Sequence, residues 1–175
     1  IPGQRGGNRA YHGTNLIHDT PLLATLLALG RQDYAEAAHA YLERFATHCT
    51  GTVTGLFPWG EHAYWDLVED RVGFSDVIAH HSRREDAVHD HLRQAPVWLW
   101  EKLYQANPGA VVRFAEGLDW HWSYPERPEY IRHARILKQE RYLYKTDEIS
   151  GDFPRHAGFY ILDLAFAWIR TGRDD

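Results

Sequence analysis

The chain has 175 residues, 44% of them hydrophobic and 25% charged, the composition of one globular domain with a sizeable core rather than a disordered segment. Its formal net charge of −5 argues against a nucleic-acid partner, and no apolar run approaches the ~20 residues a membrane helix needs. The lone Cys49 excludes an internal disulfide and a cysteine metal cluster. The chain starts Ile1-Pro2-Gly3 and contains no methionine, so a processed or truncated piece is expected and localisation stays open.

The first predicted helix covers residues 21 to 29. Thr20 can cap it, Pro21 suits its first position, and Leu22, Leu23, Leu26, Leu27 and Leu29 give it a broad apolar face. Gly30 stops it. Asp33 then opens a second helix to about Thr47, with Tyr34, Ala37, Ala38, Tyr41, Leu42 and Phe45 on one stripe. A turn this short makes the two an antiparallel pair. The segment Thr52 to Phe57 is β-prone and reads as a small strand. Residues 96 to 105 and 110 to 120 form a second helix pair around the turn Asn107-Pro108-Gly109. Residues 130 to 142 can hold a further short helix. A last helix runs from about Arg155 to Thr171-Gly172.

The fold class expected is all-α: antiparallel helical hairpins with long loops and a small β element on one face. In stacked hairpins, alternate connections lie at opposite ends. The short turns near residues 31, 107 and 172 share one end, and the long segments 49–94 and 121–154 share the other. Loops of such length are usually functional, because ordering them costs entropy. The long-loop end collects eleven of the twelve histidines: His12, His18, His48, His62, His80, His81, His89, His91, His121, His133 and His156. Only His39 falls mid-helix.

Within that end the run from Trp59 to Asp66 combines stacking surfaces (Trp59, Trp65) with Glu61, His62 and Tyr64, the mixture that sugar binding needs; the same aromatics can equally anchor the loop. Arg155-His156 follows Pro154 at a helix start, where free backbone N–H groups and a guanidinium fork suit a carboxylate. His89 and His91, joined by Glu61 or His62, fit a two-His-one-carboxylate metal site suited to zinc, manganese or iron, and Arg93 lies two residues on. A calcium ion is the oxygen-preferring alternative. Trp120, His121 and Trp122 make a second aromatic wall, while His12 and Asn15 precede the first helix beside the pair His18-Asp19. Nucleotide-binding and serine-hydrolase motifs are absent.

Short turns on one side, His-rich aromatic loops on the other, the stretch Phe153-Pro154-Arg155-His156-Ala157-Gly158-Phe159-Tyr160 before an Ala/Trp-rich helix ending Arg170-Thr171-Gly172, and the stretch from Thr54 to Glu61 together resemble the (α/α)-barrel carbohydrate-active enzymes. That superfamily holds uronate-glycan lyases, unsaturated uronyl hydrolases and sugar 2-epimerases. The resemblance implies that residues 1–175 form one domain, about half of a toroid completed by the remainder of a parent chain, with an oligo- or polysaccharide substrate. A pectate-type lyase is the first expectation. Arg155 or a histidine-bound metal would neutralise the uronate carboxylate, His62 or His156 would take the proton, and Tyr64 would protonate the leaving oxygen. A hydrolase, requiring two carboxylates about 5–10 Å apart among Glu61, Asp66 and Asp152, comes second. A sugar 2-epimerase and a non-catalytic glycan-binding domain follow.

Overall fold

The computed structural model describes residues 13–74, 90–119, 122–124, 127–130, 133–139 and 154–173, with the backbone alone at 13–14, 122–124, 127–130, 133 and 154–157. Five helices dominate the described residues: α1 (Leu16–Ala28), α2 (Gln32–His48), α3 (Val97–Ala106), α4 (Pro108–Asp119) and α5 (Pro154–Thr171). Each packs on the next in chain order, α1 on α2, α2 on α3, α3 on α4 and α4 on α5. The chain is therefore mainly helical, and two of its connections, at residues 29–31 and at Asn107, are the tight hairpin turns expected.

α1 begins five residues earlier than its Thr20-Pro21 signal suggests. Asn15 is the cap: its Oδ1 accepts the backbone N–H of His18 at 3.3 Å, and Pro21 lies inside the helix. In α2, Ala38, Leu42, Phe45 and Ala46 recur at helical spacing and are buried. Asn107 joins the two hairpins. Its Oδ1 accepts from Ala110 N at 3.1 Å at the start of α4, and its Nδ2 donates to Ala46 O of α2 at 2.8 Å.

Among the described residues, seven short strands form three small antiparallel sheets: β1 (Gly13–Thr14), β2 (Ala63–Asp66) and β3 (Arg71–Phe74) in the order β1-β2-β3, β4 (Asp90–His91) with β7 (His133–Ala134), and β5 (Trp122–Tyr124) with β6 (Arg127–Tyr130). Two expectations are corrected here. Residues 52–57 form turns, not a strand, because Gly55 adopts φ +81° and breaks any extended run. Within the stretch 130–142, the described residues are strand and loop where a helix was expected: Tyr130 ends β6, His133–Ala134 form β7 and 135–139 are irregular, with β7 paired to β4 and β6 to β5.

The core is aromatic. Phe45 (α2), Phe57, Trp59, Trp100 (α3) and Phe114 (α4) stack edge and face with centroids 4.7–6.3 Å apart. Residues 54–59 thus run through the interior between the helix pairs, and Gly55 lets them pass: a Cβ there would stand 2.3 Å from the Arg113 carbonyl oxygen. Gly55→Ala adds that overlap to the cost of a left-handed residue, and an expected loss of about 2–4 kcal/mol is readable by urea denaturation. A loss under about 1 kcal/mol would show that this backbone can relax. Asp163 of α5 is buried too, and burial pushes its carboxyl well above the usual carboxylate range. Among the described residues no helix is long and apolar enough to cross a membrane.

Candidate functional site

The long connection between α2 and α3 carries the site. It passes through the core at Phe57 and Trp59, turns at Gly60, and returns as β4 just before α3. The junction is a buried carboxylate. Asp90 Oδ2 accepts the N–H of Gly60 at 2.8 Å, and its Oδ1 accepts those of His62 (2.7 Å), Ala63 (3.1 Å) and His91 (2.8 Å). Gly60 is required by that contact, since a Cβ would lie 2.3 Å from both Asp90 Oδ2 and the His91 carbonyl oxygen. The Glu61 N–H closes the junction on His91 O at 3.2 Å. From the other side Asn15, also buried, donates through Nδ2 to Gly60 O (3.1 Å) and Ala63 O (2.8 Å).

These bonds set four side chains together. His91 Nδ1 lies 2.8 Å from Glu61 Oε2, the rings of His62 and His91 meet edge to face at 4.4 Å, and Arg93 Nη2 donates to the same Glu61 Oε2 at 2.8 Å. Burial alone would raise the Glu61 carboxyl. The His91 bond and the charges of Arg93, His91 and His62 outweigh it, so Glu61 ionises below the usual carboxylate range. For Asp90 the balance goes the other way: burial without a counter-charge outweighs its four N–H donors and lifts it to about 6.

Ligand atoms of Glu61, His62 and His91 all lie within 4.8 Å of one another. Metal bonds of about 2.0–2.3 Å put ligand atoms up to about 4 Å apart, so small side-chain adjustments let the three hold one divalent ion. Two imidazoles and a carboxylate suit zinc, manganese or iron and fit calcium poorly, since that ion prefers oxygen. The partly exposed Glu61 leaves the cluster open to solvent on one side, as a site that meets a ligand requires.

Several expected members stand elsewhere. Trp59 is fully buried against Phe45, Phe57, Trp100 and Phe114, so its ring supports the loop and offers no face to a sugar. Trp65 is 8% exposed; its Nε1 donates to Asp70 Oδ1 at 3.2 Å and its ring meets His48, which itself bonds Asp70. Both tryptophans are therefore corrected from substrate-stacking to structural. Tyr64, on the opposite side of β2 from Trp65, lays its ring across Gly73 of β3. Asp66 accepts the N–H groups of Val68 and Glu69 and so shapes the β2–β3 turn. Asp19 takes the Tyr41 hydroxyl at 2.6 Å.

His12, His89, Trp120 and His121 lie outside the described residues, and Trp122, Arg155 and His156 are placed by backbone alone, in β5 and in the first turn of α5. His62 joins His91 as the second imidazole. His133 stands opposite His91 in the β4–β7 register. The residues that sequence reasoning missed are Asp90 and the bridging role of Asn15. A buried acceptor of backbone N–H groups carries no spacing signal. No family model matches this chain, and no curated protein is similar to it.

Proposed function

We propose that the protein is a carbohydrate-active enzyme, most simply a polysaccharide lyase that cleaves uronic-acid-containing glycans by β-elimination, its helices forming part of an (α/α) toroid. The observation that carries this reading is the convergence of Glu61, His62, His91 and Arg93 from segments about thirty residues apart onto one solvent-reaching cluster. A β-elimination needs a cation on the carboxylate, a base for the adjacent C–H, and a donor for the departing oxygen.

Arg93, beside Glu61, is one candidate cation for the uronate carboxylate, and Arg155 is a second candidate. A divalent ion held by Glu61, His62 and His91 would supply Lewis-acid stabilisation of the charge that builds on that carboxylate. His156, or His62 where no ion occupies it, would take the proton, the C–H electrons would form the new double bond, and the glycosidic oxygen would leave with the proton returned by that imidazole. A hydrolase is the second reading. Of its carboxylates, Asp66 is employed in a turn, and Asp152 lies outside the described residues.

Incubation with polygalacturonate and other polyuronates is expected to generate ultraviolet absorbance from the unsaturated product. Reducing ends without that absorbance would replace the lyase by a hydrolase. Neither signal on any polyuronate would leave the epimerase and the glycan-binding domain as the readings to pursue.

A further inference from the structure

Arg93 and a metal ion would compete for Glu61. Glu61 Oε2 already receives two donors at 2.8 Å, His91 Nδ1 and Arg93 Nη2, and the guanidinium is the positive charge that balances this carboxylate. A divalent ion between Glu61, His62 and His91 would bring two more positive charges onto the same group. Like charges sharing one carboxylate repel by Coulomb's law at such range, and a second cation lowers what the first gains from it. Arg93 is the member able to leave. Its side chain is 42% exposed, whereas that of His91 is 13% exposed and its backbone is fixed by Asp90 and by the β4–β7 pairing.

A released guanidinium does not stay idle beside a uronic-acid substrate. It is a planar fork that binds carboxylates through two parallel hydrogen bonds, and it is held here within reach of the cluster. We propose that Arg93 is a metal-released carboxylate clamp: without the ion it is parked on Glu61, and loading the ion frees it to grip an anionic sugar. This rests on the metal-binding and uronate readings above and adds the coupling between them. Linkage then works in both directions, so the anionic sugar tightens the hold on the metal by the same factor that the metal tightens the hold on the sugar.

The test is calorimetry at neutral pH on wild type and Arg93→Gln, with Zn²⁺ alone, trigalacturonate alone, and both. Wild type is expected to bind trigalacturonate about tenfold more tightly when loaded with Zn²⁺, a typical coupling. The fully methyl-esterified trisaccharide should show none of that gain. In R93Q the gain should fall to about twofold or less, while Zn²⁺ itself should bind about threefold or more tightly than in wild type, because its competitor for an exposed carboxylate has gone. That sign is decisive. If Arg93 merely propped Glu61 in place, its removal would weaken Zn²⁺ binding, and R93Q affinity equal to or below wild type overturns the proposal. Wild type that takes up Zn²⁺ but shows no coupling overturns the clamp alone and leaves the metal site standing. Wild type that takes up no Zn²⁺ overturns the metal site, and the clamp falls with it.

Discussion

Asp90→Ala should be the most damaging single substitution in the site, costing about 3–5 kcal/mol, with loss of the Glu61–His62–His91 cluster as the local consequence. Alanine leaves the N–H groups of Gly60, His62, Ala63 and His91 without their acceptor in a place closed to water. Each orphaned buried donor costs about 1–3 kcal/mol, and the sum is reduced by what is saved when a buried charge disappears. Asp90→Asn separates the two contributions. It keeps the shape, presents no charge, and imitates the protonated acid.

The sign of the pH dependence follows from the raised carboxyl. Asp90 ionises near 3.8 when unfolded and at about 6 when folded, so between those values the native state holds a proton that the unfolded state has lost. Stability from this group is therefore full below pH 3.8 and falls as pH rises through about 6. The contribution is about 3 kcal/mol, from roughly two pH units at about 1.4 kcal/mol each. Urea denaturation of wild type and D90N from pH 4 to pH 8 should give difference curves with that slope. Parallel curves would mean that Asp90 stays ionised throughout, its four donors having outweighed its burial.

Glu61→Ala should have the largest effect on turnover. It takes from the cluster its carboxylate ligand, the hydrogen-bond partner of His91 and the counter-charge of Arg93, while a side chain 40% exposed contributes little to the core. Loss of a metal or of acid–base positioning is worth about 10²–10⁴ in rate, so under the proposed lyase reading cleavage of polyuronate should drop about 10³-fold. The melting temperature should move by no more than about 3 °C, as for other partly exposed sites. Zn²⁺ uptake measured on the same sample should vanish. Unchanged turnover in a folded E61A protein would move the reaction elsewhere, towards Arg155-His156.

The helices were legible from the sequence because their physics is local. Leu42, Phe45 and Ala46, or Val111, Phe114 and Leu118, recur at helical spacing, and the short turn at Asn107 carries its own signal. The strands were not legible in the same way. β4 and β7 are two residues each and exist only because chain segments distant in sequence meet. The run from Trp59 to Asp66 stands out in the sequence as a candidate site, but its parts divide differently from their chemistry. Trp59 and Trp65 have the flat faces a sugar likes, and the same faces fill a core. His62, His91 and Glu61 were recognisable as ligand types, whereas the group that brings them together is Asp90, between two histidines that look more reactive. Asn15 shows the same blindness: an asparagine before a helix reads as a cap, and its second face cannot be seen without the loop it meets.

Asn15 ties matters that usually vary independently. One amide group starts α1 through its oxygen and secures Gly60 and Ala63 through its nitrogen. Fraying at the front of that helix is thereby linked to slackening around the histidines, making the two regions one cooperative opening unit. A replacement at this position that lost the amide would disturb the helix start and the loop together.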